Sequence, residues 1–446
     1  MSSSATPSQV QGMSRTPLGA LHWVPTLCWA AILMDGYDAV VLGTVIPSLL
    51  KAKEWGITTA GATTVATLGL VGMVVGGLGL GFLTDKLGRR KVLMACVSAF
   101  SLFTFAAAFA PNLFMFGLLR FLAGVGLGGC LPTAIAMVGE FAHRDKTSHA
   151  TTRVMTGYHV GAVLTSALAI VLISRFGWHA MFISAIVPAL IVVPLMMKFL
   201  PESPSYLESV GRHEEAEVVA RHYGLHVEKP VEEVREFSDM APTHPTTDKK
   251  GLGLVMSGPY ARNTLAIFVA SFMGLLLVYG LNTWLPQIMQ KAKYDLGNSL
   301  GMLLMLNIGA IAGLFVGGRI GDRLTPRITA VGWFLAAACF LAALTIKLPL
   351  AGMYAMIFLT GFFVFSSQVL VYAFTSANYP PAVRATALGM SAGVGRLGGI
   401  AGPLLGGLLL DRGLAYPQGF FIFAAVGLIG AIAMALTKTL RVSVGR

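Results

Sequence analysis

The sequence predicts an all-α membrane protein with twelve transmembrane helices. Its 446 residues are 55% hydrophobic and only 12% charged, and the mean hydropathy is +0.73. Soluble domains contain about 25% charged residues, so this composition is typical of a chain that crosses a bilayer repeatedly. The apolar runs do not alternate with polar residues, which disfavours a β-barrel. Twelve runs are long enough to cross a bilayer, near residues 23–50, 62–83, 92–110, 113–138, 153–174, 178–199, 261–288, 298–320, 328–347, 351–378, 386–410 and 415–437.

A long polar stretch divides these spans into six and six. Residues 201–260 hold 11 of the 20 acidic residues, and within them residues 205–223 have the apolar spacing of one amphipathic helix. Lys and Arg are concentrated in the even-numbered loops, which predicts a multi-pass protein of the inner (plasma) membrane with both termini in the cytoplasm. The predicted divisions are a tail (1–22), a six-helix bundle (23–200), a cytoplasmic loop (201–260), a second bundle (261–438) and a tail (439–446).

An internal repeat supports two related halves. Residues 81–90 (GFLTDKLGRR) follow the second span and residues 318–327 (GRIGDRLTPR) follow the eighth, so Gly81, Asp85, Leu87 and Arg90 align with Gly318, Asp322, Leu324 and Arg327. A repeated unit at matching places in two halves is typical of a duplicated transporter whose halves are related by an axis along the membrane normal.

Two carboxylates lie inside the first span. Asp35 and Asp38 are three residues apart, so they share one helix face, and each costs about 2.5–3.5 kcal/mol at the bilayer centre. That face must look into protein or a wet cavity. It is either a site for protons or substrate, or a structural pair satisfied by a basic neighbour. Arg120, deep in the fourth span, is a candidate partner for either aspartate.

Three further ionisable residues lie within or near spans. Arg396, in the eleventh span, has no acidic residue at its depth in its own half. Its planar guanidinium suits a carboxylate ligand, although it could instead bind backbone carbonyls beside the glycine-rich residues 393–402. His159 is either a proton relay or a packing residue. Glu140, near the end of the fourth span, either joins the proton path or pairs with a basic residue of a loop.

Aromatic and amide residues gather in the seventh and tenth spans, and an aromatic pocket with a few polar anchors suits a benzene ring. The candidate substrate-binding residues, besides Arg396, are Tyr37, His159, Tyr279, Asn282, Trp284, Phe365, Gln368 and Tyr372. Trp284 could instead mark a membrane interface.

Several function classes are disfavoured. The four cysteines lie inside apolar runs without metal-binding spacing, no phosphate-binding loop is present, and no catalytic triad is apparent. The net charge of +12 arises largely from short loops, which indicates membrane orientation rather than nucleic-acid binding. We therefore expect neither an enzyme nor a cofactor. The intramembrane aspartates Asp35 and Asp38 suggest a proton as the coupling ion.

The motifs resemble those of a known family. Residues 85–90 (DKLGRR) and 120–128 (RFLAGVGLG) are similar to the loop 2–3 and fourth-helix signatures of the major facilitator superfamily, as is 201–204 (PESP). Residues 35–38 (DGYD), 384–389 (RATALG) and 395–399 (GRLGG) resemble the aromatic acid:proton symporter family. The resemblance implies a monomeric symporter, embedded in membrane lipid, that imports a small aromatic carboxylate with protons by alternating access.

The resemblance also implies a conformational role for the loop motifs. The residues concerned are Gly81, Asp85, Gly88, Arg89, Arg90, Asp322, Arg327 and Arg384. One departure is Thr325 and Pro326, which stand where the second loop would have Gly-Arg, and this puts an equal role for the two loops in doubt. Alternatives remain open: a carrier of muconate or another small organic anion, a drug:proton antiporter, or a membrane enzyme or sensor.

Overall fold

The computed structural model describes residues 20–141, 147–223, 255–256, 258–346, 348–379 and 381–439, apart from the side chains of a few, Asp85 among them. This part of the chain contains twelve helices long and apolar enough to cross a membrane, as predicted. They are α1 Ala20–Ala52, α2 Thr59–Leu87, α3 Arg89–Ala107, α4 Leu113–Phe141, α5 Thr147–Phe176, α6 His179–Phe199, α7 Gly258–Lys291, α8 Leu296–Arg323, α9 Pro326–Ala343, α10 Leu350–Asn378, α11 Pro381–Asp411 and α12 Gln418–Leu436. Helix α6 is interrupted at Ala185, between segments His179–Ser184 and Ile186–Phe199.

Short polar caps begin several of these helices. The side chains of Thr58, Asp295 and Thr325 each accept a hydrogen bond from a backbone N–H in the first turn of α2, α8 and α9. Such caps satisfy donors that the helix itself leaves unpaired, so α2, α8 and α9 each begin immediately after one of them.

The prediction of one helix over residues 205–223 is wrong. Two short helices, Pro204–Ser209 and His213–Tyr223, occupy this stretch. Gly211 lies between them with a φ of 79°, a conformation that ends a right-handed helix and favours glycine. Ala216, Ala220 and Tyr223 are the buried residues of the second helix, so it packs on the protein by one face.

The helices form two six-helix halves with the same packing. In the first half α1 packs on α5, α2 on α4 and α3 on α6; in the second, α7 packs on α11, α8 on α10 and α9 on α12. Each pair of the second half corresponds to a pair six helices earlier. The halves meet where α1 packs on α7, α2 on α11 and α5 on α8. The predicted fold class is confirmed.

Among the described residues, the hydrophobic core joins the halves at one membrane face and divides towards the other. We call the face at which α1 begins and α12 ends the terminal face. Towards the opposite face a single cluster combines both halves, including Ile46, Leu49, Trp284, Ile288 and Leu303. Towards the terminal face the core divides into one cluster for each half. Contacts of Gly43 with Asn282, and of Thr63 with Gly407, close the opposite side.

A glycine fixes the turn between α2 and α3. Gly88 has a φ of 94°, and a Cβ atom there would overlap the Glu202 carboxylate. We expect Gly88→Ala to destabilise the fold by about 1–3 kcal/mol, because it adds backbone strain and a clash. The measurement is the midpoint of thermal unfolding in detergent. Gly79→Ala, where a Cβ meets no other atom within 4 Å, is the control. Equal midpoints for both variants would contradict this account.

Candidate functional site

The centre of the site lies where α1 packs tightly against α5. The Gly36 backbone lies directly against the Tyr158 carbonyl, so any side chain at residue 36 would overlap it. Asp35 and Asp38 flank this contact, and each is only 2% exposed. The glycine between the aspartates therefore lets α1 pack on α5 while both carboxylates stay inside the protein.

Asp38 is held in a dense set of hydrogen bonds. Arg120 of α4 donates through Nη1 to both carboxylate oxygens, at 2.9 and 3.0 Å, and through Nη2 to the Asp38 carbonyl at 3.3 Å. Thr104 of α3 donates its hydroxyl to the same carboxylate. The three side chains are 5% exposed or less. Asp38 thus links α1, α3 and α4 as one half of a buried ion pair.

Asp35 has no such partner. Its Oδ1 makes no hydrogen bond with any residue that the structure describes. The charged groups that act on it electrostatically are Asp38, which repels its negative charge, and Arg396, which attracts it. Asp35 in turn lies within electrostatic range of the hydroxyls of Tyr158 and Tyr279 and of the thiols of Cys96 and Cys130. The two aspartates therefore differ sharply in environment although they are three residues apart.

Arg396 crosses between the halves. Its guanidinium lies directly against Gly77 of α2, where a glycine leaves room for it. Within the described residues it forms no ion pair or hydrogen bond. Its positive charge interacts electrostatically, at longer range, with Asp35, Tyr279 and Tyr372. An arginine in this position has an unused planar fork of donors facing the middle of the protein.

Aromatic and amide side chains from both halves complete the centre. The rings of His159 (α5) and Phe365 (α10) meet edge to face with centroids 5.8 Å apart. Gln368 lies against Gly274 of α7 and near the Tyr372 hydroxyl. We define the central group as Asp35, Tyr158, His159, Tyr279, Phe365, Gln368, Tyr372 and Arg396.

A cavity between the halves borders this group. Residues from α1, α2, α4 and α7 surround it, among them Gly69, Arg120, Tyr279 and Thr283. The cavity runs beside the Asp38–Arg120 pair and reaches Tyr279 of the central group. It brings Arg120 of the buried ion pair and Tyr279 of the second half to one space.

Three of the predicted binding residues lie outside the central group. The Tyr37 hydroxyl donates to the Met181 carbonyl at 2.8 Å and meets Ser184, so it joins α1 to α6. Trp284 is fully buried between α7 and α11, and its indole donates to the Pro403 carbonyl at 2.8 Å.

Asn282 is the third residue outside the group. It accepts a 3.3 Å hydrogen bond from Asn307 where α7 closes on α1. Its amide nitrogen has no partner among the described residues. All three residues are buried in helix packing. Spacing alone does not tell which face of a span looks inward, so the sequence did not distinguish them from residues of the central group.

Glu140 also lies away from the central group. It forms an ion pair with Arg89 and accepts a hydrogen bond from Ser203, at the terminal-face end of α4. Of the two interpretations of Glu140, the structure therefore favours pairing with a basic loop residue over a place beside the aspartates.

The two loop motifs bind corresponding helix ends. Arg90 donates to the Met197 carbonyl at the end of α6, and Arg327 donates to the Ala435 carbonyl at the end of α12 at 2.7 Å. Among the described residues only the first loop adds an ion pair of the Arg89 type, because Pro326 stands in the aligned position of the second.

The remaining motif residues are less constrained. Glu202 accepts hydrogen bonds from the backbone N–H of Arg90 and of Ser203, which ties PESP to the first loop. Arg384 donates to the Tyr379 carbonyl at 3.4 Å, and Asp322 is exposed. The side chain of Asp85 and the surroundings of Gly81 lie outside the described part of the structure.

Sequence reasoning missed three residues of the site. Thr104 was one unremarkable hydroxyl of the third span, yet it binds both members of the ion pair. Tyr158 faces Tyr279 across the halves, and its position next to His159 was the only available signal. Gly77 was one glycine among 52. Among the described residues, no group of three or more His, Cys, Asp or Glu could hold a metal ion.

The buried ion pair generates a stability prediction. Arg120→Ala leaves the Asp38 carboxylate buried and uncompensated, which costs about 3–5 kcal/mol. We expect a large fall in the thermal unfolding midpoint in detergent. Adding Asp38→Asn to Arg120→Ala removes the stranded charge and should recover a substantial part of that loss. If the double variant is as unstable as the sum of both single variants, the pair is not the reason.

The chain matches proteins of known function along most of its length. The family model described as Major Facilitator Superfamily matches residues 28–401 and 318–444. The "Gentisate transporter" of Corynebacterium glutamicum is 33% identical over 93% of this chain and 86% of its own length. The "Benzoate transport protein" of Acinetobacter baylyi is 32% identical over 97% and 92%, and the "Gallate transporter" of Pseudomonas putida is 31% identical over 94% and 92%.

Solved structures agree on the fold. The inward open conformation of the xylose transporter XylE from E. coli has a TM-score of 0.74 at 16% identity, with 95% of this chain and 98% of that chain covered. Its partially occluded inward open conformation has a TM-score of 0.73 at 17% identity, with 95% and 100% covered. The expectation that the chain is a membrane transporter rather than an enzyme is confirmed, and the chain belongs to the major facilitator superfamily, where relatives at about 30% identity are aromatic acid transporters.

Proposed function

We propose that this protein is a proton-coupled symporter that imports a small aromatic carboxylate. The observation that carries the proposal is the central Arg396, whose guanidinium crosses to α2 and has no ion pair among the described residues. A half-buried cation inside a membrane protein, without a fixed partner, favours an anionic ligand, and the planar fork suits a carboxylate. Relatives named for gentisate, benzoate and gallate transport support this choice of substrate class.

The surroundings of Arg396 suit an aromatic ring. Tyr279 and Tyr372 lie within electrostatic range of its guanidinium. Phe365 extends the aromatic surface of α10 to His159, whose ring it contacts. Aromatic side chains stack on or meet a benzene ring edge to face, with a favourable contribution of about 0.5–1.5 kcal/mol per pair. A carboxylate on Arg396 and a ring among these residues would use both kinds of contact.

Asp35 is the better candidate for the proton carrier. Asp38 has its charge compensated by Arg120 and its oxygens occupied by hydrogen bonds, so a change of its charge would break a buried ion pair. Asp35 has an oxygen without a hydrogen bond and depends on the more distant Arg396 for compensation. A carboxylate in that position can gain and lose a proton without breaking a buried ion pair.

Substrate and proton would then be linked through Arg396. While the site is empty, Arg396 offsets the negative charge of Asp35. An arriving carboxylate pairs with the Arg396 guanidinium, so the negative charge of Asp35 is no longer offset. Protonation of Asp35 relieves the resulting excess of negative charge, which is expensive inside a protein. We infer that the anion and the proton load together for this reason.

The direction of transport rests on orientation. We propose that the terminal face is cytoplasmic, because basic residues such as Arg90, Lys91, Arg323 and Arg327 surround the loops after α2 and α8. The structure is closed towards the opposite face, so it would correspond to the state that releases substrate into the cell. The same orientation would put both tails in the cytoplasm.

Uptake into vesicles tests the coupling. We expect wild-type protein to accumulate radiolabelled benzoate or 4-hydroxybenzoate only under an inwardly directed proton gradient. Asp35→Asn should abolish this accumulation and retain exchange of substrate across the membrane, since the amide mimics the protonated acid. The matched control is Asp295→Asn, because Asp295 lies outside the spans, where hydrogen bonds from Asn298 hold its pKa below the usual range. Normal accumulation by Asp35→Asn would overturn the assignment.

Equilibrium binding to purified protein tests the role of Arg396. Arg396→Lys keeps the charge but loses the fork, so we expect the dissociation constant to rise about tenfold, or roughly 1.4 kcal/mol. Arg396→Ala should weaken binding further. Arg412→Lys, at an exposed arginine beyond the end of α11, is the matched control and should bind normally. Full affinity in both Arg396 variants would exclude this residue from the binding site.

A further inference from the structure

Two buried polar side chains of the central group have no role in binding a carboxylate. Gln368 is 4% exposed, and neither its amide oxygen nor its amide nitrogen has a hydrogen-bond partner among the described residues. His159 is 8% exposed, and its Nδ1 is likewise without a partner there. The Tyr372 hydroxyl lies near Gln368 but without the geometry of a hydrogen bond. Leaving such groups unpaired in a protein interior is unfavourable.

One face of α10 connects these two side chains to Arg396. Phe365, Gln368 and Tyr372 share a face of α10 because they are spaced three and four residues apart. Tyr372 is the member that feels the charge of Arg396, and Phe365 is the member that touches His159. Gln368 lies four residues from Tyr372, which is about 6 Å along the helix axis. That rise is comparable to the length of a benzene ring.

This order fits a substituted ring. With a carboxylate on Arg396, the far edge of the ring would reach the level of Gln368 and His159. An unsubstituted ring would leave their polar atoms unpaired. A ring hydroxyl can donate to the Gln368 oxygen or the His159 nitrogen and can accept from the Gln368 nitrogen. A site built to bind a hydroxyl rejects the analogue that lacks it.

We propose that the preferred substrate is a hydroxylated aromatic acid, and that Gln368 together with His159 determines this preference by binding the ring hydroxyl. The proposal rests on the function proposed above, because it needs the carboxylate on Arg396. It adds that the amide and the imidazole distinguish among aromatic acids, whereas Arg396 binds the carboxylate common to all of them.

The test compares dissociation constants of benzoate, 3-hydroxybenzoate and 4-hydroxybenzoate with purified full-length protein. We expect at least one hydroxybenzoate to bind tenfold or more tightly than benzoate, which corresponds to about 1.4 kcal/mol. Gln368→Leu removes the amide at similar size and should bring that ratio close to one. Gln287→Leu is the matched control, because Gln287 is also a buried glutamine but lies towards the closed face, and it should keep the wild-type ratio.

His159→Phe is the second variant, for use if Gln368→Leu does not fold; it keeps the ring contact with Phe365 and should also lower the ratio. Equal affinity of the wild type for all three acids, with measurable binding, overturns the hydroxyl preference and leaves the carboxylate site intact. A uniform loss of affinity for all three in Gln368→Leu overturns the specificity role. Binding of none of the three by the wild type overturns both this inference and the proposed function.

Discussion

The ion pair between Asp38 and Arg120 is the interaction on which the centre of this protein depends. It joins α1 to α4, and through Thr104 to α3, at a depth where both charged residues are buried. Because an unpaired charge there is far more costly than a matched pair, the two residues fix each other in place. Their pairing also leaves Asp35, on the same helix face, as the carboxylate whose charge is offset only at longer range, by Arg396.

Much of the fold and part of the site could be predicted from the sequence. Twelve long apolar runs determine twelve spans almost by composition, and the loop repeat indicated two related halves. A buried carboxylate pair and two deep arginines are so costly in lipid that their mere presence identified the centre. The choice between Asp35 and Asp38 as the partner of Arg120 was out of reach. It depends on the rotation of α4 against α1, which no spacing rule specifies.

The predicted binding residues that lie in helix packing have a common physical explanation. Tyr37 and Trp284 were assigned to the substrate because aromatic residues suit a ring, yet both face neighbouring helices and bind backbone carbonyls. In a polytopic protein most inward-looking faces meet another helix, so residue type alone selects too many candidates. The loop motifs were predicted better. Arg90 and Arg327 bind equivalent helix ends, and the Pro326 departure corresponds to the absence of an Arg89-type ion pair in the described second loop.

Under the proposed mechanism, the charges of the centre would couple substrate and proton tightly. With Asp38 and Arg120 neutralising each other, an empty site holds Asp35 and Arg396 as a second, looser pair of opposite charges. Adding both a carboxylate and a proton returns the same net charge, whereas adding either alone leaves one unit uncompensated. In a low-dielectric interior a single unpaired charge costs far more than it does in water. Closing the protein around a site that holds only the carboxylate or only the proton would bury that unpaired charge. The conformational change would therefore be favourable only when the site is empty or holds both.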